Sequence, residues 1–356
     1  MIRSLFTVFL LLTLIKTNAQ FVLDLVPKNN SEKCVDFYLA EVVDDRRSEE
    51  AALGSIYKPN LQKTKVVFQD GPEKSIGDYI RKSFRQDTKG VPVQVRIDEC
   101  SITENLRGSR EIKGEMKLVI TVFSIKQEKL IKICEARSNT TYERSPENEI
   151  ESQLSAEMSK LVNSAFVFVI RNIDKNKGVI EAFVKESYVE ILPFYQAEDA
   201  DTLYYQSRKV TWDDFKAAPR AGSQYGAAIF TNFAIDTKIT IKDRVLTAYV
   251  RPKVLMDKNM SWARTAAKTI DGLRHEQLHF DITYLVMMEF LNKIKDFKAD
   301  TVDDLGSMIH FEYLEYYRKM NKVQERYDSE TRHSLYLNQQ ILWENKINEQ
   351  LKTTRL

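Results

Sequence analysis

The chain has 356 residues, 43% of them apolar and 29% charged, a composition that excludes intrinsic disorder and points to folded domains. Lys and Arg number 53 against 51 Asp and Glu, and the resulting formal charge of +2 leaves no electrostatic footprint for nucleic acid. Three cysteines exclude a disulfide-built scaffold, and at about 100–200 residues per domain two domains are expected.

Arg3, the apolar run Leu5 to Ile15 and the small residues Thr17 and Ala19 read as a signal peptide over residues 1–19. The run is shorter than the ~20 apolar residues that span a bilayer. No later segment is longer in apolar character, so no integral membrane span is expected. The chain is expected to be exported, either to a bacterial periplasm or out of the cell.

The sequence predicts an α+β protein. Residues 20–175 are expected to form a small α/β domain. Strands are expected over Phe21 to Val26, Cys34 to Val43, Val91 to Ile97, Met116 to Ile125 and Leu130 to Cys134. Ser75 to Phe84 reads as a short helix. A longer helix is expected after Ser145-Pro146-Glu147, with Ile150, Leu154, Met158, Leu161, Ala165 and Phe168 on one face. This domain has no histidine and no glycine-rich phosphate loop, so an accessory role is expected, such as binding a protein partner. Cys34, Cys100 and Cys134 are spaced too widely for a metal site and are expected to be structural, with one disulfide possible in number.

The pattern breaks at Asn176-Lys177-Gly178, and residues 176–207 are expected to be a linker. Residues 208–356 then form the second expected domain. Ala227 to Ile241 and Val245 to Met256 read as antiparallel strands joined at Lys242-Asp243-Arg244, the second offering an edge to an extended peptide. After Ser261-Trp262 the period becomes helical. A second helix is expected from Asp303 to Arg326, with Leu305, Met308, Ile309, Tyr316, Met320 and Val323 inward, and a third from about Asp328 past Trp343.

All four histidines lie in this last part. His275-Glu276-Gln277-Leu278-His279 is an H-E-x-x-H motif. Positions i and i+4 share a helix face, so both imidazoles can reach one zinc ion, while Glu276 sits one step round the helix as the general base. The combination points to one Zn2+ per chain.

Catalytic zinc takes three protein ligands and keeps one position open. A histidine six residues after the motif would mark one zincin class, but that position is Leu285. Another class takes a glutamate from the next helix, which makes Glu312 and Glu315 candidates. His310 reads as a helix-packing residue. His333 stands at a helix junction that can aim it back at the motif. Asp281 and Asp328 are the nearest acids able to orient a ligand histidine, and Asp328 could equally cap the last helix. Tyr327 and Tyr336 are candidate oxyanion donors.

Further residues carry a resemblance. The lead-in Thr211, Trp212, Asp214 and Phe215 comes first, then the Ser261-Trp262 pair and H-E-Q-x-H-F-D over His275 to Asp281. Tyr327, Asp328, Thr331 and His333 follow as Y-D-x-x-T-x-H, and then Gln340 and Trp343. Together they resemble an uncharacterised bacterial family of predicted secreted zinc-dependent proteases, over residues 208–356 only. The resemblance implies a zincin-like domain of antiparallel strands, an active-site helix and further helices. It also implies His333 as the third ligand and peptides or proteins as substrates. The family has Gly after the last histidine, where this chain has Ser334. The competing expectation is an exported binding protein with a structural or vestigial zinc site.

Overall fold

A computed structural model describes residues 20–46, 52–108, 111–126, 129–147 and 150–354. The expected signal peptide, residues 1–19, lies outside the described residues. The chain is α+β and divides into two compact units, the first ending at Asn176 and the second beginning at Lys177.

Unit one holds β1 (Phe21–Leu23), β2 (Lys33–Cys34), β3 (Phe37–Asp44), β4 (Gly54–Tyr57), β5 (Lys63–Phe68), helix α1 (Gly71–Ser83), β6 (Arg85–Gln86), β7 (Val91–Arg107), β8 (Glu111–Lys126), β9 (Lys129–Arg144) and helix α2 (Glu151–Asn176). Its seven-stranded sheet runs β1-β5-β4-β7-β8-β9, with β3 also on β7. Helix α1 packs on β3 and β5, and α2 on β8 and β9.

The strict alternation of Val91 to Ile97 stops because a bulge between Ile97 and Glu99 shifts the parity. Buried positions move from Val93, Val95 and Ile97 to Cys100, Ile102 and Glu104. Strand β9 continues ten residues past Cys134 through polar sequence because it is the sheet's edge. Phe168, expected on the inner face of α2, is 49% exposed; Phe166 and Val169 are inside instead. All three cysteines are free thiols, and burial pushes those of Cys34 and Cys100 up to about 12.

Inside this sheet Arg144 forms a buried ion pair with Glu104 at 2.7 Å, and Tyr142 donates to the same carboxylate at 2.8 Å. The pinned Tyr142 ring lies over Gly114, where a Cβ would come within 2.1 Å of ring carbon. Gly114→Ala is therefore expected to destabilise unit one by about 1–3 kcal/mol. The urea midpoint of the variant checks this, and an unchanged midpoint would mean the ring yields freely.

Unit two holds β10 (Glu186–Ile191), β11 (Thr202–Tyr204), β12 (Ala227–Ala228), β13 (Thr231–Lys242), β14 (Val245–Asp257), β15 (Trp262–Ala263) and helices α3 (Ile270–Ile294), α4 (Val302–Thr331) and α5 (Leu337–Thr353). Residues 176–207 are not a linker. They supply β10, which pairs in parallel with the first half of β14, and β11, which pairs with its end. Strand β13 covers the other edge of β14 along its whole length, so Val245 to Met256 has no free edge for a peptide. The β13–β14 turn has two residues, Asp243 and Arg244, both with positive φ, the geometry that matches strand twist in tight hairpins.

Helix α3 lies against β13, β14, α4 and α5. From Leu278 to Val286 only Tyr284 escapes full burial, so this is a core helix, not a one-faced surface helix. Thr269 caps its start by accepting from Gly272 N–H at 3.0 Å. Helix α4 runs on to Thr331, five residues beyond the expected end. Asp328 is therefore in its last turn and does not cap α5. Among the described residues no helix is long and apolar enough to cross a membrane.

Candidate metal centre

Helix α3 places His275 and His279 one turn apart, and both are buried. Their outer nitrogens are held by amides. His279 Nδ1 lies 2.5 Å from Gln324 Oε1, and His275 Nδ1 lies 3.1 Å from Gln340 Oε1. Gln324 cannot turn over without loss, because its Nε2 donates to Thr231 and Thr283 at 3.2 and 3.0 Å. An amide oxygen there requires a proton on His279 Nδ1, which leaves Nε2 as the lone-pair nitrogen. Gln340 Oε1 also accepts from the Tyr327 hydroxyl at 2.9 Å. Its Nε2 is buried with no partner among the described residues, so this amide is held by its oxygen alone.

The inner nitrogens converge. Asp328 Oδ1 is 3.2 Å from His275 Nε2, 3.0 Å from His279 Nε2 and 3.3 Å from His333 Nδ1. Donor atoms of His275, Asp328 and His333 all lie within 4.8 Å of one another. The His279 nitrogen, its ring proton committed to Gln324, thus faces an anionic oxygen that His275 Nε2 also meets. That arrangement calls for a cation between them or a second proton on the rings, and the donor set fits zinc. Burial opposes charge on Asp328, but the hydrogen bonds and charges of His275 and His279 outweigh it and hold its carboxyl far below the usual range. Burial likewise works against charge on His279, yet Asp328 and Glu276 raise its pKa.

Glu276 is 5% exposed, and its Oε2 accepts from Ile229 N–H at 3.0 Å. Burial raises its carboxyl, against the pull of His279, His275 and the Ile229 amide. The segment carrying that amide is fixed by the Ser261-Trp262 pair. Ser261 Oγ accepts from Phe230 N–H at 2.8 Å, and Trp262 pairs with Ala228. The centre opens into a cleft of about 460 Å³, walled on one side by Gly226, Ala227 and Ala228.

His333 arrives by a different route. Arg332, His333 and Ser334 all have left-handed backbone, with φ of 46°, 50° and 69°. The hydroxyl of Thr331 donates to Tyr327 O at 2.7 Å and helps end the helix. The His333 ring rests 4.1 Å from that of Tyr225, centroid to centroid, and 39% of the side chain is exposed. A non-glycine residue in this conformation costs roughly 1–2 kcal/mol. Ser334→Gly removes that cost at the position where the resembled family has Gly. The variant is expected to gain about 0.5–1 kcal/mol, because glycine's freer unfolded chain takes part of it back. A lower melting temperature in the variant would show that the Ser334 side chain has a role of its own.

Several expected residues go elsewhere. Glu312 and Glu315 are on α4, at about 1.5 Å per residue roughly 24 and 20 Å along the axis from Asp328, and Glu315 pairs with Arg318. They are not ligands. Asp281 does not orient either histidine. It accepts from Tyr205 and Gln277 at 2.9 and 2.8 Å, while Gln277 accepts from Val210 N–H, so the pair ties the lead-in segment to α3. Asp214 of the lead-in accepts from Thr211 and binds Arg208, and Trp212 donates to Thr269 O at the start of α3. Tyr327 is fully buried with its ring stacked 4.7 Å from His275, so it supports the centre and does not donate to an oxyanion. Trp343 lies edge-on to Tyr327 and donates to Glu330. Tyr336 lies over the Arg332 guanidinium, and His310 is exposed on α4.

No family model and no curated protein matches the chain. Among solved structures it is similar to the crystal structure of XCC0632 from Xanthomonas campestris, described by the family model DUF330. That match has 6% identity and a TM-score of 0.30, and covers 45% of this chain and 99% of that one. A likeness of this size carries no argument about what this chain does.

Proposed function

We propose that unit two is a zincin-like, zinc-dependent peptidase, exported to the periplasm or secreted. One observation supports the reading: nitrogens of His275 and His333 cluster with Asp328 at the floor of a cleft, His279 Nε2 reaches the same Asp328 oxygen at 3.0 Å, and a buried glutamate follows the first histidine. When bound, zinc supplies a Lewis acid and lowers the pKa of a water toward about 7. The chain's own residues do the rest. His275, His279 and His333 hold the ion, and Gln340 and Gln324 fix the rings of the first two. Glu276 takes a proton at its carboxylate and returns it to the leaving amine, a task for which a raised carboxyl is suited. The edge of β12 away from β15 has no strand partner among the described residues, and its small side chains let an extended substrate backbone lie close. Unit one carries none of this chemistry, and we read it as the part that binds a protein partner.

A second reading, a closed zinc site without catalysis, has one observation in its favour. A fourth protein donor, Asp328 Oδ1, already stands among the three nitrogens. Cleavage of peptide libraries by the wild-type chain and Glu276→Gln, with metal content by elemental mass spectrometry, separates the two.

A further inference from the structure

We infer that Asp328 is itself a ligand of the ion through Oδ1, so that the protein supplies three imidazole nitrogens and one carboxylate oxygen. The inference rests on the metal reading above; with four protein donors the peptidase reading requires the ion to expand to five-coordinate, adding a water from the cleft, and without that expansion the site is the closed one.

The first argument is which nitrogen the carboxylate meets. An acid that orients a ligand histidine from outside bonds the nitrogen turned away from the metal. On His275 and His279 that nitrogen is Nδ1, and glutamine amides occupy both. Asp328 meets the other nitrogen of each ring, on the side where the ion binds.

The second argument is distance. Ligands around a tetrahedral zinc with bonds of about 2.0–2.1 Å sit roughly 3.3–3.4 Å apart. The single atom Oδ1 lies 3.2, 3.0 and 3.3 Å from the three nitrogens, close to that spacing on its own three edges, and with His275 and His333 it forms a set within 4.8 Å that His279 does not join.

The third is charge. Asp328 is in the last turn of α4, where the helix carries its negative end and an anion is disfavoured. Among the described residues its ion pairs are with the three histidines, and neither Lys nor Arg reaches it. A cation held directly by the carboxylate answers both conditions.

The test uses the full chain, loaded with cobalt(II) alone, and the variant Asp328→Cys. The longer metal–sulfur bond, about 2.3 Å against about 2.0–2.2 Å to oxygen, makes up part of the shorter reach of the cysteine side chain. A thiolate-to-cobalt charge-transfer band in the near ultraviolet is expected in the variant and absent from wild type, whose three cysteines lie in unit one. A folded, cobalt-loaded variant without the band overturns the inference. Asp328→Asn keeps the shape and is read by zinc affinity beside Gln324→Leu. The asparagine variant is expected to lose more than the ~10–100-fold that loss of an outer partner costs. An equal or smaller loss overturns the inference even if the cysteine variant does not fold. A wild-type chain that takes up neither cobalt nor zinc removes the metal reading along with it.

Discussion

Glu276→Gln is expected to lower kcat for peptide cleavage by about 10²–10⁴-fold, the usual contribution of a positioned general base. At 1.36 kcal/mol per factor of ten this is about 2.7–5.5 kcal/mol of transition-state stabilisation. The swap is isosteric, and the amide oxygen can still accept from Ile229 N–H, so the cleft wall and the zinc content should be unchanged. KM should move little, because the carboxylate acts on the proton and not on substrate binding. The readout is kcat and KM on a peptide the wild type cleaves, with metal content measured on the same preparations. Equal rates in the two proteins would trace the activity to a contaminant. Loss of zinc together with activity would make Glu276 a structural part of the centre. Wild-type inactivity across broad libraries would retire the peptidase and leave the closed site.

The second large effect is on stability. The candidate donors come from α3, the last turn of α4 and the turn before α5, so an ion there ties three segments together. A ligand that binds only the folded state adds about 2.7 kcal/mol at a hundred times its Kd and about 4.1 at a thousand times. For a unit of this size each kcal/mol moves Tm by about 2–4 °C. Stripping the metal with a chelator is therefore expected to lower the melting of unit two by about 5–15 °C, with zinc restoring it and the transition of unit one unmoved. Scanning calorimetry of the full chain reads both. Identical traces with and without zinc would refute the site as a tight one.

The helix that carries the two motif histidines was readable because its information is local. Two histidines four apart define a face on any helix, and Leu278, Ile282, Leu285 and Val286 keep the period around them. The partners that complete the centre are non-local. Gln324 lies among the polar residues Asn321, Lys322, Glu325 and Arg326, with Val323 beside it, and nothing in its spacing links it to His279. A weaker signal did exist. Met320, Gln324, Tyr327, Asp328 and Thr331 continue the inward stripe of α4, and polar residues on such a stripe need partners. The same period, followed one turn further, would have kept Asp328 inside α4. In unit one β4 and β5 went unseen because each is short and mixed in polarity, and their places are set by pairing with each other and with β7. The supposed linker failed similarly: Glu186 to Ile191 reads Glu-Ser-Tyr-Val-Glu-Ile, with no apolar alternation, and pairing with β14 makes it a strand.

The glutamine clamps on His275 and His279 would also bear on how quickly an ion is captured. Both rings are already in place through bonds within the protein, so neither has to search for its rotamer when the ion arrives. His333 is the exposed donor, on a left-handed turn with its ring against Tyr225 at the cleft wall. An ion entering the cleft would therefore meet two rings already set and His333 at the solvent side, already 3.3 Å from Asp328.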